Sequence, residues 1–379
     1  MKPTTATTLP QAPGLRRLRH RRRLLNTRAP CDGHGVTDTA TSSPLAGIRV
    51  LDLSRLLPGP FCTQVLVDLG ADVIRIEDHD GGDIVRHQPP LAADSMSLLF
   101  HALNRGKRAV ALDLRNADDR EAFFGLCADA DVVVESFRPG VMARLGLAPA
   151  ALLARFPRLV VCSISGYGQH GPLAQRAGHD VNYLARSGAL SLMKTPTVLP
   201  VQVADLAGGA WPAAAQICAA LFARERTGNG AIIDVSMTDG LIALLSMTIA
   251  RTLGDDDGDD HNDNAVDGGR ELLVGRVPCY AVYPTRDGFL AVGALEPKFW
   301  SAVCAVIDRP DLVTRGWDHG AAGAEVAAIL TGIFTREDTA TWRARFADVD
   351  ACVEPVLTSR EAFAAARSVD VVVGDRVVA

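Results

Sequence analysis

The chain has 379 residues, of which 48% are hydrophobic, and a formal net charge of -5. This length can bury a large core in two domains or in one large domain. A slightly acidic chain lacks the basic footprint of a nucleic-acid-binding protein. Eight cysteines are scattered without a CxxC pair. This pattern indicates reduced thiols in a cytosolic protein rather than disulfides or a zinc site.

The first 43 residues differ in composition from the remainder. Six arginines cluster between Arg16 and Arg23, and no acidic residue precedes Asp32. A transit peptide has this composition, and a disordered basic tail or a start codon placed too early explains it equally well. We interpret residues 1–43 as a disordered basic extension outside the fold.

The fold begins near Pro44 with a compact βαβ unit. Residues 48–53 form a predicted strand, residues 61–69 a helix with Pro60 in its first turn, and residues 71–77 a second strand. Such a unit predicts a parallel sheet with helices on its faces. It resembles half of a nucleotide-binding fold, but the G-x-G-x-x-G fingerprint of dinucleotide sites is absent.

The same pattern continues through residues 44–253, which we predict to form one large, Rossmann-like α/β domain. Further strands are expected at residues 109–114, 131–136, 159–165 and 232–236. Helices are expected at residues 117–129 and 208–224. The apolar segment 210–223 is interrupted by Pro212 and Gln216, and we expect it to be too short to span a bilayer.

An acidic run at residues 254–270 separates this domain from a region with a different pattern of predicted strands and helices. We interpret the run as a solvated linker rather than a metal site, because nothing in it fixes a coordination geometry. Beyond it, a hairpin at residues 279–292 followed by helices predicts a smaller α+β domain over residues 271–360. Residues 361–379 form a short, atypical tail.

A loop rich in glycine and proline, residues 166–172, follows the predicted strand 159–165 and leads to His179 and Asp180. Loops held by a rigid scaffold often carry function. An imidazole beside a carboxylate at the end of a buried strand suits proton transfer. From these residues alone, a hydrogen-bonded structural histidine is the simpler interpretation.

Basic residues recur in the loops between the predicted strands and helices, and we expect them to gather at the carboxyl ends of the strands, where open α/β sheets bind ligands. They are Arg105, Lys107, Arg108, Arg138 and Arg144. Together they suit a phosphorylated ligand, although surface solubility explains any single one of them.

Two carboxylates stand next to apolar runs that precede helices. Asp205 lies in Val203–Gly209 and could cap the following helix or act as a base or nucleophile tuned by the helix N-terminus. Glu296 precedes Pro297 and has the same simple alternative, a helix cap with proline at the first helical position.

The chain resembles the CaiB/BaiF family, the family III CoA-transferases, from about residue 44 to about residue 360. The motifs that carry the resemblance are residues 44–52, 69–77, 104–108, 135–140, 166–172 and 238–240. The segment 177–183 resembles the α-methylacyl-CoA racemase branch of that family. Family members usually continue beyond the segment matching 352–356, so we expect the last structural segment to be missing or replaced here.

This resemblance implies specific roles for the residues above. His179 and Asp205 would be two proton-transfer bases, Glu296 would pair with the histidine, and the backbone around Asp180 would hold the thioester oxygen. Arg144 matches a position that contacts CoA phosphate in relatives. The substrate would be a 2-methyl-branched acyl-CoA, with no tightly bound cofactor and no metal.

The resemblance leaves two alternatives open. In a CoA-transferase, Asp205 would attack the acyl-CoA as a nucleophile. Transferases of the family often lack the His-Asp motif and the glutamate, and some carry a glycine run that this chain lacks, so the racemase is favoured. An inactive CoA-thioester-binding paralogue is the other alternative. The family fold further implies an interlocked homodimer in the cytoplasm, with Glu296 reaching the site from the partner subunit and no membrane or nucleic-acid partner.

Overall fold

A computed structural model describes residues 43–193, 195–254, 272–365, 371–373 and 376–378. The predicted basic extension, all but one residue of the acidic linker and much of the tail therefore lie outside the described residues. The chain divides into two compact units. The first comprises the described residues of Met1–Ala177, Asp205–Met237 and Asp370–Val378, and the second those of Gly178–Ala204 and Thr238–Val369.

The first unit is built on a six-stranded parallel sheet. Its strands are β1 Arg49–Asp52, β2 Asp72–Glu77, β3 Arg108–Ala111, β4 Val132–Glu135, β5 Val160–Ser165 and β6 Ala231–Ser236. The strand order is β3-β2-β1-β4-β5-β6, which is the order of the Rossmann fold. The predicted α/β class and Rossmann-like sheet are confirmed.

Helices cover both faces of this sheet. They are α1 Pro58–Asp68, α2 Leu98–Asn104, α3 Ala117–Cys127, α4 Val141–Arg144, α5 Pro149–Arg155 and α7 Trp211–Thr227. Between α5 and α7 the chain forms α6 Asp180–Ser187, which belongs to the second unit. Side chains alternate across the strands. Leu51 and Val133 pack against α3 and α5 through residues such as Phe123, while α1 and α7 contact the strands from the opposite face.

The helix at the end of the first unit is longer than the sequence predicts. Residues Ala204–Ala210 form a π-helical turn that continues into α7. The resulting helix of 24 residues is long and apolar enough to cross a membrane by length and composition, so the expectation that this segment is too short is wrong. Ala213, Ile217 and Leu221 are buried, and α7 contacts α1, β5 and β6, as expected of a core helix.

The second unit contains a three-stranded antiparallel sheet. Its strands are β7 Tyr280–Pro284, β8 Phe289–Gly293 and β9 Val353–Pro355, with β8 in the centre. Its further helices are α8 Met237–Leu244, which begins in the first unit, α9 Ser246–Gly254, α10 Pro297–Val306, α11 Gly320–Phe334, α12 Thr339–Phe346 and α13 Ser359–Ala365. The predicted smaller α+β fold is confirmed. Two further strands, β10 Val371–Val373 and β11 Arg376–Val378, pair antiparallel in the first unit.

An aromatic cluster anchors the core of the second unit. Trp342 is 2% exposed and stacks edge-on against Phe334 with ring centroids 5.1 Å apart. Its indole nitrogen donates to the Phe334 carbonyl oxygen at 2.8 Å, so the polar end of this large side chain is satisfied inside the core. Trp300 does the same with the Leu312 carbonyl oxygen at 2.8 Å.

Candidate active site

The parallel sheet has one topological switch point, between β1 and β4. From β1 the chain winds outward through β2 and β3, and from β4 it winds the other way through β5 and β6. The general rule for such sheets expects a crevice between the loops that leave the carboxyl ends of β1 and β4. Ligands of open α/β sheets bind in this place.

The loop after β1 is held tightly below this crevice. The amide and hydroxyl of Ser54 donate to the Asp52 carboxylate, and the Leu56 amide donates to Asp83 at 3.2 Å. Leu56 adopts a left-handed φ of 65° and is 46% exposed. Such a backbone conformation is unfavourable for leucine and persists only where the surroundings fix it. The same loop presents the exposed Arg55.

A buried network of charges supports that loop. Arg75 bonds the carboxylates of Asp52, Glu77 and Asp83 at 3.2, 2.9 and 3.0 Å. Lys107 adds a second cation at 3.5 Å from Asp52. Burial opposes ionisation of Asp52, but Arg75 and Lys107 outweigh it and hold the pKa of this carboxyl below its usual value. The acids of this network are thus matched by bases.

The loop after β4 is fixed on three sides. Its Phe137 amide donates to the Glu135 carboxylate at 2.7 Å. From the β1 loop, the Arg55 amide donates to the Ser136 hydroxyl at 3.2 Å, and the Arg55 guanidinium lies 5.9 Å from the centre of the Phe137 ring. The side-chain amide of Gln175 donates to the Pro139 carbonyl oxygen at 3.0 Å. The crevice therefore has preformed walls.

Two predicted phosphate contacts lie on this loop and on the helix that follows it. Arg138 and Arg144 are both exposed. Among the described residues, neither guanidinium has a hydrogen-bond or ion-pair partner. Gly140 takes a left-handed φ of 83° just before α4, which turns the chain into that helix. Both arginines are thus available to an anion.

The basic residues of the turn that leads into β3, unlike Arg138 and Arg144, are paired with other side chains of the first unit. Arg108 faces Ile74 of β2 and pairs with Asp72, the first residue of β2, at 2.5 Å. Arg105 pairs with Asp68 at 2.6 Å. The turn precedes β3, whereas Arg138 follows β4, and Lys107 of the turn reaches Asp52 at the carboxyl end of β1.

Lys107 lies inside the first unit. Its ammonium donates to the Pro60 carbonyl oxygen and the Thr63 hydroxyl, both at 2.7 Å, and the side chain is 1% exposed. Burial lowers the pKa of Lys107 to about 8 in spite of the neighbouring Asp52. These contacts favour a structural role, and contact with CoA stays a prediction for Lys107, Arg105 and Arg108.

Asp205 lies in the first turn of the π-helical segment and is half-buried. Gly209 in the same segment is buried, and a Cβ there would lie 2.7 Å from the Met237 side chain, so only glycine allows this close approach. π-turns inside α-helices occur frequently at functional sites. The carboxylate is thus presented by an irregular, tightly packed helix start.

His179 precedes α6 as its N-cap residue, and its side chain is exposed. Its backbone amide donates to the Asn182 side chain at 3.0 Å, and the Tyr183 hydroxyl donates to the Gly178 carbonyl oxygen at 2.6 Å. Asp180 is the first residue of α6 and lies in its N-terminal turn. The structure therefore places a helix where the sequence indicated only a loop.

Glu296 is the N-cap residue of α10 and is exposed. Pro297 takes the first helical position as expected, but the glutamate side chain makes no capping hydrogen bond. Within the described residues, no hydrogen bond or ion pair joins Glu296 to His179. The roles predicted for His179, Asp180, Asp205 and Glu296 stay predictions.

Sequence reasoning missed three residues that shape the crevice: Arg55, Glu135 and Asp234. Asp234 of β6 accepts the Gln169 amide at 2.9 Å and so holds the loop 166–172. Glu135 ends an apolar strand directly before Ser-Phe-Arg-Pro-Gly, and that position was the available signal. Among the residues that the structure describes, no group of three or more histidines, cysteines or acids is placed to hold a metal.

Comparisons with known proteins agree with this fold. The family model of CoA-transferase family III matches residues 45–371. The α-methylacyl-CoA racemase of Mus musculus is 36% identical over 323 residues, which are 84% of this chain and 79% of that protein. The acetyl-CoA:oxalate CoA-transferase of Acetobacter aceti is 34% identical over 340 residues, 86% of this chain and 84% of that protein.

A solved structure supports the same relationship. The crystal structure of a CaiB/BaiF family protein from Brucella suis superposes with a TM-score of 0.71 at 28% identity and covers 86% of each chain. The resemblance stated from the sequence motifs is confirmed. The chain belongs to CoA-transferase family III, the CaiB/BaiF proteins.

Proposed function

We propose that this protein racemises 2-methyl-branched acyl-CoA thioesters. The observation that carries the proposal is the presence of both a histidine at the N-cap of α6 and a carboxylate in the π-turn before α7. A transferase of this family needs the carboxylate alone. A racemase needs two bases, because the proton leaves one face of a carbon and returns to the other.

The chemistry assigns a role to each group. One of His179 and Asp205 removes the proton α to the thioester carbonyl, and the other returns a proton to the opposite face, which inverts the centre. The thioester oxygen gains negative charge in the enolate. Backbone amides at the start of α6, around Asp180, would stabilise that charge as an oxyanion hole does.

The crevice between β1 and β4 would hold the nucleotide of the CoA moiety. Its preformed loops and the exposed Arg138 support this assignment, since guanidinium groups bind phosphates in a bidentate manner. Arg144 would contribute a further phosphate contact. CoA enters as part of the substrate and leaves with the product, and no tightly bound cofactor or metal takes part.

The assembly is part of the proposal. We place the enzyme in the cytoplasm as an interlocked homodimer, with a large CoA-binding domain over residues 44–253, a linker over 254–270 and a small domain over 271–360. In this arrangement Glu296 of the partner subunit orients His179 and keeps it basic.

The decisive experiment incubates the protein with a 2-methylacyl-CoA in D2O without a carboxylate acceptor. Deuterium at the α-carbon together with inversion, read by NMR and chiral chromatography, is the expected result. His179→Ala should abolish exchange from one face of the substrate. His170→Ala, at an exposed histidine earlier in the same segment, is the matched control and should exchange normally.

The alternative function is CoA transfer to a second carboxylic acid, with Asp205 as nucleophile. The 34% identity to an acetyl-CoA:oxalate CoA-transferase favours keeping it. No exchange in D2O, but transfer of CoA once succinate or oxalate is added, would overturn the racemase. Binding of acyl-CoA with neither reaction would identify an inactive paralogue.

A further inference from the structure

We infer that Glu135 is a positioning residue for the nucleotide end of the CoA thioester, acting through the loop Ser136–Gly140 that carries Arg138. This inference rests on the proposed function, because it deepens the CoA-binding half of it. Glu135 itself does not touch the ligand in this proposal. It fixes the backbone from which the phosphate-binding guanidinium extends.

The contacts of Glu135 connect the rigid sheet to this loop. Glu135 is the last residue of β4 and is only 2% exposed. Its carboxylate accepts the Phe137 amide at 2.7 Å, two residues along the chain. The Ser163 hydroxyl of the neighbouring strand β5 donates to the same carboxyl group. One side chain therefore joins two central strands to the first turn of the loop.

The loop has little other freedom. The Arg55 amide holds Ser136 from the β1 side, and Gln175 holds Pro139 from the β5 side. The Glu135 bond lies between these two attachments and is the shortest of the three. Arg138 follows the bonded Phe137 amide directly, so the direction of its exposed side chain depends on that bond. Preorganised loops bind ligands more tightly because less ordering is needed on binding.

A stabilising role alone does not explain a glutamate here. Among the described residues, no lysine, arginine or histidine pairs with the Glu135 carboxylate. The titratable groups that face it are Asp234 of β6 and Cys162 of β5, and neither supplies a positive charge. Burial raises the pKa of Glu135 to about 6. Carboxylates kept in such unfavourable surroundings cluster at functional sites.

The test measures binding and kinetics of the purified full chain with Glu135→Leu. Leucine fills the buried volume but cannot accept the Phe137 amide, and buried donors left without an acceptor lower stability, so binding is measured well below the unfolding temperature of the variant. We expect the Kd for CoA and the KM for the acyl-CoA to rise about tenfold with little change in kcat, as loss of a preorganised phosphate contact predicts. The corresponding acyl-pantetheine thioester, which lacks the nucleotide, should be bound and turned over as by the wild type.

Two further variants sharpen the result. Glu135→Gln keeps an acceptor for the Phe137 amide and should restore most of the CoA affinity. In an Arg138→Ala background, Glu135→Leu should add almost no further loss, since both changes remove the same contact. Glu121→Ala, at an exposed glutamate of α3, is the control for loss of a carboxylate and should bind CoA normally.

The outcomes separate this inference from the function on which it rests. A wild type that binds no CoA overturns the proposed function and this inference together. A wild type that binds CoA overturns the inference alone if Glu135→Leu leaves the CoA Kd unchanged. The inference is also overturned if the variant weakens CoA and acyl-pantetheine equally, or if its loss adds fully to that of Arg138→Ala.

Discussion

Two groups of acids lie at the carboxyl edge of the same parallel sheet, on opposite sides of its switch point. On the β1–β2 side, the buried Asp52, Glu77 and Asp83 surround Arg75, with Lys107 and Arg86 as further cations. On the β4–β6 side, the buried Glu135 lies near the exposed Asp234 and accepts hydrogen bonds, but it has no cationic partner among the described residues. The pKa of Glu77 is lowered because its bonds to Arg86 and Arg75 outweigh burial, whereas burial raises the pKa of Glu135.

This difference indicates that the two groups of acids contribute to the site in different ways. Where charges are matched, a network fixes the β1 loop whatever the ligand state, and removal of one partner leaves the others uncompensated. A buried carboxylate without a cationic partner destabilises the fold, and Glu135 is such a carboxylate, which holds the loop after β4. The first group is therefore expected to govern stability, and the second to govern ligand affinity.

The largest expected effect follows from removal of the central cation. Arg75→Met leaves three buried carboxylates short of positive charge and should lower the free energy of unfolding by about 3–5 kcal/mol, measured by urea denaturation at pH 7. The control Arg108→Met breaks an ion pair whose side chains are 51% and 44% exposed, and it should change stability by less than about 1 kcal/mol. Equal losses of stability in the two variants would show that the buried network around Arg75 stabilises the fold no more than an exposed ion pair does.

An effect of opposite sign is expected at Glu135. Its pKa is raised from 4.5 to about 6 in the folded state, so the fold favours the protonated form. The destabilisation by the carboxylate is absent below about pH 4.5 and complete above about pH 6. Glu135→Gln should therefore stabilise the protein by about 2 kcal/mol at pH 8 and hardly at all at pH 4.5, as read from urea melts at both values. A lower free energy of unfolding for Glu135→Gln at pH 8 would show that the Glu135 carboxylate has a compensating partner in the folded state.

The smallest effect concerns the interaction within the unmatched group. Asp234 raises the pKa of Glu135 as the last of its resolved causes, after burial and the hydrogen bonds. Asp234→Asn keeps an acceptor for the Gln169 amide but removes this charge. The folded-state pKa of Glu135 should then fall, so the stabilisation by Glu135→Gln should reach its full size at a lower pH and be smaller at pH 8 by less than about 1 kcal/mol. An unchanged midpoint would mean that the two carboxylates do not interact.

The fold was largely predictable because the strands of its large sheet are short apolar runs. Val132–Val134 and Val160–Cys162 are buried completely, and each is followed by a glycine- or proline-rich turn. Apolar runs of strand length and the turn residues that bound them are signals that lie within a few neighbouring residues. The six-stranded sheet and the antiparallel hairpin followed from them.

The crevice was only partly predictable, because its contacts are not local. Lys107 appeared as a surface cation, yet its partner Asp52 lies 55 residues away in the sequence. Arg55 joins Ser136 across 81 residues. The sequence also did not show that the cations of the basic turn pair with Asp52, Asp68 and Asp72, which lie 55, 37 and 36 residues away from them. The catalytic assignments came from family resemblance and remain to be tested.

The π-turn at Ala204–Ala210 has a consequence for how this active site can evolve. A π-turn amounts to one extra residue in an otherwise continuous α-helix. Deletion of a single residue between Asp205 and Trp211 would restore a regular helix and rotate the carboxylate by about 100° around the axis relative to α7. The helix would survive such a deletion while its carboxylate pointed elsewhere. The direction of the Asp205 carboxylate is thus separable from folding by a change of one residue in length.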